Sequence, residues 1–567
     1  MPFRILPIAA MAATKVMVLA HASAAPHLLD PAVTAAGTKA RARETARSRS
    51  DSIPRPLPPV SLPLRRKHLV HLASWERQFA VQESRSNVAS QATSAAMNFR
   101  RGIVFALLMQ VLIVGVDKGG GLILYLICTN HPDQHGFAGL VSTTPFVLMA
   151  LANLGLASSQ VYFMRKGLFT AQQTFATNMS VAVVWGGTVA VGAAASILWL
   201  LPLCDHELRF PASIVLPLCA VVPLLLLASY ANTLHLATDR LKQYTTVHLV
   251  SSLLFLPSFL GCFYLFGGIV EGGDAAYAMA WGRLFSTVLV VALVLWLVRA
   301  IVRLRFGFHR EYLREGLKYG WRSNLGATLA YLNHRLDLYI IGFVYVATGP
   351  QDQRVAEIGA EVGFYSIAVT WAELVWHFPD ALRDLFFSKV AASTHEEARG
   401  LTPVLTRLAL SASLVGGVVV LLMVDPVMGT ITELVRGSSA RWVDTWSPTV
   451  HAALVFLTPG TIAYTVSKVL QADLAGRNRQ EVSLRAQWVA FMVMVVLDLI
   501  LIPAHGALGA AAASSIAYVS ATVYTLRAYS RETLVPVLHC LVLRRSDLMY
   551  FREIVSAVLD KLRGQRA

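Results

Sequence analysis

Charged side chains are scarce in this chain. Asp, Glu, Lys and Arg make up 14% of its 567 residues, whereas 55% are hydrophobic, and the mean hydropathy is +0.55. A soluble protein of this length needs more polar surface than that, so the composition points to a polytopic membrane protein. Acids are scarcer than bases, 33 against 49, for a formal net charge of +16. Nucleic acid is not the expected partner, because the positive charge sits in the first 96 residues and in short loops between apolar segments. The five cysteines, Cys128, Cys204, Cys219, Cys262 and Cys540, show neither a CxxC pair nor metal-ligand spacing, so no disulfide framework or metal site is expected. P-loop, GxSxG and HExxH patterns are also missing. ATP hydrolysis and covalent catalysis are therefore not expected, and neither is a cofactor.

Apolar segments are abundant instead. Residues 1–96 are rich in Ala, Ser, Arg and Pro and hold 13 Lys/Arg against 5 Asp/Glu. They read as a disordered basic extension. The opening run imitates a signal peptide but is interrupted by Lys15, and Met97, in MNFRRGIVF, offers an alternative start. Twelve spans come after it, near 101–128, 139–163, 173–203, 213–237, 244–268, 275–299, 319–346, 360–386, 403–424, 447–470, 482–503 and 506–527. Alternate loops hold 17 Lys/Arg against 4 on the other side, which orients the chain with both termini in the cytoplasm of an inner-membrane protein. The fold class expected is an all-α polytopic protein of about 12 transmembrane helices in two pseudo-symmetric six-helix lobes. The N-lobe is 97–299, a basic linker covers 300–318, the C-lobe is 319–527, and a basic tail runs from 528 to 567.

The two lobes echo each other. HGFAGLVSTTPF after span 1 resembles VGFYSIAVTW after span 7, an offset of 227 from Gly136 to Gly363. ANTLHLATDRLKQY resembles TVSKVLQADLAGRN, an offset of 234 from Asp239 to Asp473. Six spans per repeat keep both copies in one orientation, related by an axis along the membrane normal. The segment 299–320 between them reads as an amphipathic helix on the cytoplasmic surface.

Ionisable residues inside spans are costly and mark function. Arg335 in span 7 and Glu373 in span 8 each lie roughly 16 Å deep and are expected to meet. Asn324, Tyr331 and Arg335 share one helix face, while Asp337 points nearly opposite. Glu373, His377, Asp380 and Asp384 form a stripe on span 8. Span 1 carries Asp117 and Lys118, and span 6 carries Arg283. Lys468 and Arg322 read as snorkelling side chains, Asp498 as a helix–helix hydrogen-bonding group, and Trp371 and Trp376 as packing. Pro379 and the Pro459–Gly460 pair read as kink or packing sites.

The stretches LKYGWRSNLGATLAYLNHRLDLYIIGFV, VGFYSIAVTWAELVWHFPDALRDLFFSKVA, LQADLAGRNRQEV and LILIPAHGALGAAAASSIAY occur in this order. In them the chain resembles the oligosaccharide flippases of the polysaccharide transporter family, within the multidrug, oligosaccharidyl-lipid and polysaccharide exporter superfamily. DKGGG interrupts the usual pattern of span 1. The resemblance implies a V-shaped pair of lobes. It also implies transfer of undecaprenyl-pyrophosphate-linked sugar units between leaflets for O antigen, capsule or exopolysaccharide, with polymerases and glycosyltransferases as partners. The residues fit that chemistry. Arg335, Arg283 and Lys118, with Asn324 and Tyr331, are candidates for the pyrophosphate and sugar path. Glu373, Asp337, Asp380, His377 and Asp117 are candidates for coupling to a proton or sodium gradient. Three other readings stay open: a drug/cation antiporter of the same superfamily, a membrane glycosyltransferase or polymerase, and a non-transporting scaffold. The largest external loop, 425–449, lacks the closely paired acids that a glycosyltransferase site needs.

Overall fold

The computed structural model describes residues 112–201, 210–266, 274–350, 353–377, 380, 395–477 and 479–544. The basic extension, Asp384, Pro379, Cys204, the end of the tail and the Arg322 side chain lie outside the described residues. The described part is helical, without a strand. The helices, numbered here in chain order, are α1 (112–127), α2 (Pro132–Ala152), α3 (Leu156–Arg165), α4 (Ala171–Ala195), α5 (Ala212–Ala237), α6 (Leu241–Leu265) and α7 (Ala275–Val298) in the first half. The second half holds α8 (Arg310–Val344), α9 (Arg354–Ala372), α10 (His395–Arg436), α11 (Ser447–Gly476), α12 (Gln480–Thr533) and α13 (Val537–Leu541). Among the described residues nine helices are long and apolar enough to cross a membrane. The chain is a multi-pass membrane protein.

Local chemistry sets several helix starts. Thr170 and Gln173 form a reciprocal capping box at α4, and the Asp274 carboxylate accepts from the N–H groups of Ala276 and Tyr277 at α7. Other boundaries depart from the sequence reading. The span expected at 139–163 breaks at Asn153–Gly155, where Gly155 takes a φ of 75° and its backbone lies against Gly320 of α8. The expected linker helix begins only at Arg310. It runs unbroken into span 7, and residues 303–309 form no regular secondary structure. The loop expected at 425–449 is mostly helical, because α10 continues to Arg436 and a π turn at Trp442–Trp446 leads into α11. The last two expected spans form α12, which bends sharply at Gly506 (φ 50°, ψ −124°). As a straight rod, 54 residues would reach about 81 Å, far beyond a bilayer. The bend instead brings Gly509 back against the Leu501 carbonyl.

Helices in lipid gain little from apolar burial against each other, so close packing at small residues holds them together. Gly186 of α4 rests on Pro223 and Leu226 of α5, and Gly417 of α10 rests on Thr458 and Ile462 of α11. These contacts are equivalent in the two halves. The repeat has a sharper signature where the halves meet. α2 crosses α9 with Gly136 against the backbone of Gly359 and Gly363, so close that a Cβ on Gly136 would overlap the Gly359 carbonyl. Gly136 and Gly363 are the repeat partners identified in the sequence. Residues meet their own counterparts only near a two-fold axis, so α2 and α9 flank it.

Candidate functional site

A cavity of about 430 Å³ lies between the halves, lined by α1, α2, α8, α9 and α10. Lys118 enters it from α1 and Arg335 from α8. Both hold the same carboxylate: the Arg335 guanidinium is 2.8 Å from Glu373 Oε1 and Lys118 Nζ is 2.9 Å from Glu373 Oε2. Lys118 also donates weakly to the Thr370 carbonyl at 3.4 Å. The side chains of Lys118 and Arg335 keep 26% and 25% of their surface exposed, so a ligand in the cavity can reach them. Two cations on one carboxylate leave one positive charge in excess, held where few groups compete for it. The Lys118–Glu373 pair also ties the first half to the second.

The helices explain why these groups converge. α8 presents Arg335 and, one turn on, Tyr339, whose hydroxyl bonds Thr143 and Thr144 of α2 at 3.1 and 2.9 Å. Glu373 opens a single 3-10 turn, Glu373–Trp376, at the end of α9. His377, next after that turn, lies within electrostatic reach of both Glu373 and Asp380, and its buried Nε2 has no hydrogen-bond partner among the described residues. Asp380 pairs with Lys468 at 3.0 Å. Lys468 is thus an ion-pair member that also sits 4.1 Å above the Trp376 ring, rather than a snorkelling side chain.

The other candidates stand apart. Asn324 donates to the Asn153 carbonyl and to Thr328, tying α8 to the break after α2. Tyr331 lies within electrostatic reach of Arg335, Glu373 and Arg283. Asp117 is exposed and makes no ion pair among the described residues. Arg283 stacks on Phe255 at 3.6 Å and on Phe146 at 5.1 Å, and its Nε has no hydrogen-bond partner among the described residues. α1 also packs against the α10–α11 corner. There Tyr125 bonds Thr432 at 2.8 Å and Trp446 Nε1 donates to the Thr129 carbonyl at 3.0 Å.

Asp337 faces the opposite way from Arg335, into the second half. It accepts from Tyr365, and from Ser514 and the Leu338 N–H, both at 3.0 Å. Within electrostatic reach lies Asp498, wholly buried, with neither oxygen hydrogen-bonded among the described residues. The helix–helix hydrogen bond expected of Asp498 is not formed. Tyr365, Ser514 and this acid pairing escape the sequence reading because they come from distant stretches of chain. The one signal in the sequence is a lone acid in an apolar run.

The family model described as "Polysaccharide biosynthesis protein" matches residues 137–445, more than half of the chain. A comparison with curated proteins finds no match. Among solved structures, the fold is similar to the inward-facing conformation of a multidrug resistance MATE family transporter of the MOP superfamily. That match has a TM-score of 0.57 and 15% identity over 74% of this chain and 94% of that one. It is also similar to the lipid II flippase MurJ in an inward closed conformation, with TM-score 0.56 and 12% identity over 82% of this chain and 97% of that one. A MOP superfamily transporter from Pyrococcus furiosus, described as having a binding pocket of reverse polarity, matches with TM-score 0.50 and 14% identity, covering 76% of this chain and 95% of that one. At these identities the likeness shows a shared fold.

Proposed function

The chain belongs to the polysaccharide biosynthesis protein family, and on that premise we propose that it is a flippase. It moves undecaprenyl-pyrophosphate-linked oligosaccharide across the cytoplasmic membrane by ion-coupled alternating access. The observation that carries this reading is the cavity between the halves in which Lys118 and Arg335 share Glu373. A pyrophosphate is a stronger, multidentate acceptor than one carboxylate. It displaces Glu373 from the two cations, with Arg335 gripping it bidentately and Lys118 acting as a point charge. The polar wall of Ser142, Thr143 and Thr370 receives the sugars, and the lipid tail stays in the bilayer between the halves. Losing Glu373 to the substrate breaks the tie between α1 and α9, so binding loosens the pair that holds the empty halves together. Arg283 is the next cation on the substrate path.

Coupling rests on Asp337 and Asp498. Two buried acids within electrostatic reach of each other invite a proton or a sodium ion. Because α8 carries both Arg335 and Asp337, neutralising this acid pair shifts the helix that holds the anion site. A twelve-span topology is part of this reading, supported by nine candidate spans together with a second arm of α12 after Gly506, α1 and α8. The excess of Lys/Arg in alternate loops supports cytoplasmic termini. Polymerases and glycosyltransferases of the same polysaccharide would be its neighbours.

The test is the sidedness of the lipid-linked sugar pool in membranes of a deletion strain. The reading expects the pool to build up on the cytoplasmic face, to be cleared by the wild-type chain, and to persist with Arg335→Gln at equal abundance. An unchanged pool with altered sensitivity to cationic drugs would place the chain with the antiporters instead.

A further inference from the structure

The connection between the halves has a surface of its own. α7 ends at Val298, and from Arg303 to His309 the chain runs beside α4 without regular secondary structure. Its backbone is pinned there. The Gln172 amide donates to the Arg303 carbonyl and accepts from the Arg303 N–H, each at 2.8 Å. The N–H groups of Gly307 and His309 donate to Ser180 and Thr177, both at 3.0 Å. With the backbone bound to α4, the side chains face outward. Phe306 and Phe308 are 65% and 57% exposed, and Trp296 in the last turn of α7 is 64% exposed. Arg299, Arg303, Arg305 and Arg310 are exposed and enter no ion pair among the described residues. Residues 299–318 hold six Lys/Arg against two Glu.

Exposed aromatic rings interleaved with unpaired guanidinium groups, at the point where an apolar span ends, suit the boundary between hydrocarbon and headgroups. There the rings insert at headgroup depth and each arginine grips a phosphodiester bidentately. An acidic protein or a nucleic acid would use the arginines but leave the two phenylalanines in water. We propose that residues 299–310 form a strap that binds anionic phospholipid headgroups and anchors the joint between the halves to the leaflet on the side of the basic loops.

The full-length protein is reconstituted in vesicles of equal phosphatidylglycerol and phosphatidylcholine, and the lipids it retains are counted by native mass spectrometry. Wild type should retain phosphatidylglycerol selectively. Arg303→Gln with Arg305→Gln should lower that selectivity about 25-fold, at about fivefold per charge near an anionic surface. Arg527→Gln with Arg531→Gln, two exposed arginines at the end of α12, should leave it within twofold. Equal loss in both pairs would reduce the effect to general surface charge and overturn the strap, as would no loss in the first pair. Wild type alone gives a second readout, free of any folding defect. Arg303 and Arg305 should resist phenylglyoxal in phosphatidylglycerol bilayers and react in phosphatidylcholine bilayers. Equal reactivity in the two would contradict the proposal.

Discussion

Arg335 and Asp337 stand two residues apart on α8 and serve opposite electrostatic settings. Arg335 faces a cavity where two cations share one acid and solvent has access. Asp337 faces a closed interior where a second acid, Asp498, has no hydrogen-bond partner among the described residues and no exposed surface. One region carries an excess of positive charge within reach of a ligand, and the other an excess of acid sealed from water. On the proposed reading the first would take an anion and the second a small cation, and one helix would answer to both.

Substitutions should affect the two regions differently. The largest effect is expected from Arg335→Gln. Calorimetry with inorganic pyrophosphate should show affinity about 100-fold weaker, since a bidentate charged contact is lost together with half the compensation of Glu373. Lys118→Gln should cost about tenfold in the same titration, as a point charge without the guanidinium fork. Glu373→Gln should act in the other direction. It removes the carboxylate that competes with the ligand and should tighten pyrophosphate binding about tenfold, while slowing translocation because the tie between the halves is gone. Weaker binding in Glu373→Gln would make this acid part of the anion site rather than its competitor. Asp498→Ala should leave pyrophosphate binding unchanged. It should raise Tm by a few degrees in the absence of coupling cation, since an unsatisfied buried polar group costs about 1–3 kcal/mol. Its transport should also stop responding to an imposed ion gradient. A fall in pyrophosphate affinity there would erase the separation between the two regions.

Much of this division is legible in the sequence, for reasons that hold generally. Helical arithmetic puts Arg335 and Asp337 on opposite faces, and equal depth in neighbouring spans brings Arg335 to Glu373. The internal repeat singles out Gly136 and Gly363, which meet where α2 crosses α9. The features that escape are set by local geometry or by distant chain. The pairing of Asp380 with Lys468, 88 positions along the chain, carries no sequence mark. Lys118 is separated from Glu373 by 255 positions, and its pairing depends on how the two halves pack. The buried acid pair needs α8, α9 and both arms of α12 at once, a convergence that periodicity along one helix does not encode.

Carriage of an anionic lipid-linked sugar through the cavity between the halves can be measured in proteoliposomes holding purified protein and a fluorescent undecaprenyl-pyrophosphate oligosaccharide, with the exposed leaflet read by an impermeant quencher. Wild type should transfer the lipid under an imposed ion gradient, and Arg335→Gln should transfer it no faster than empty vesicles. Wild-type vesicles that move no more lipid than empty ones, or equal transfer by the variant, would contradict the flippase reading.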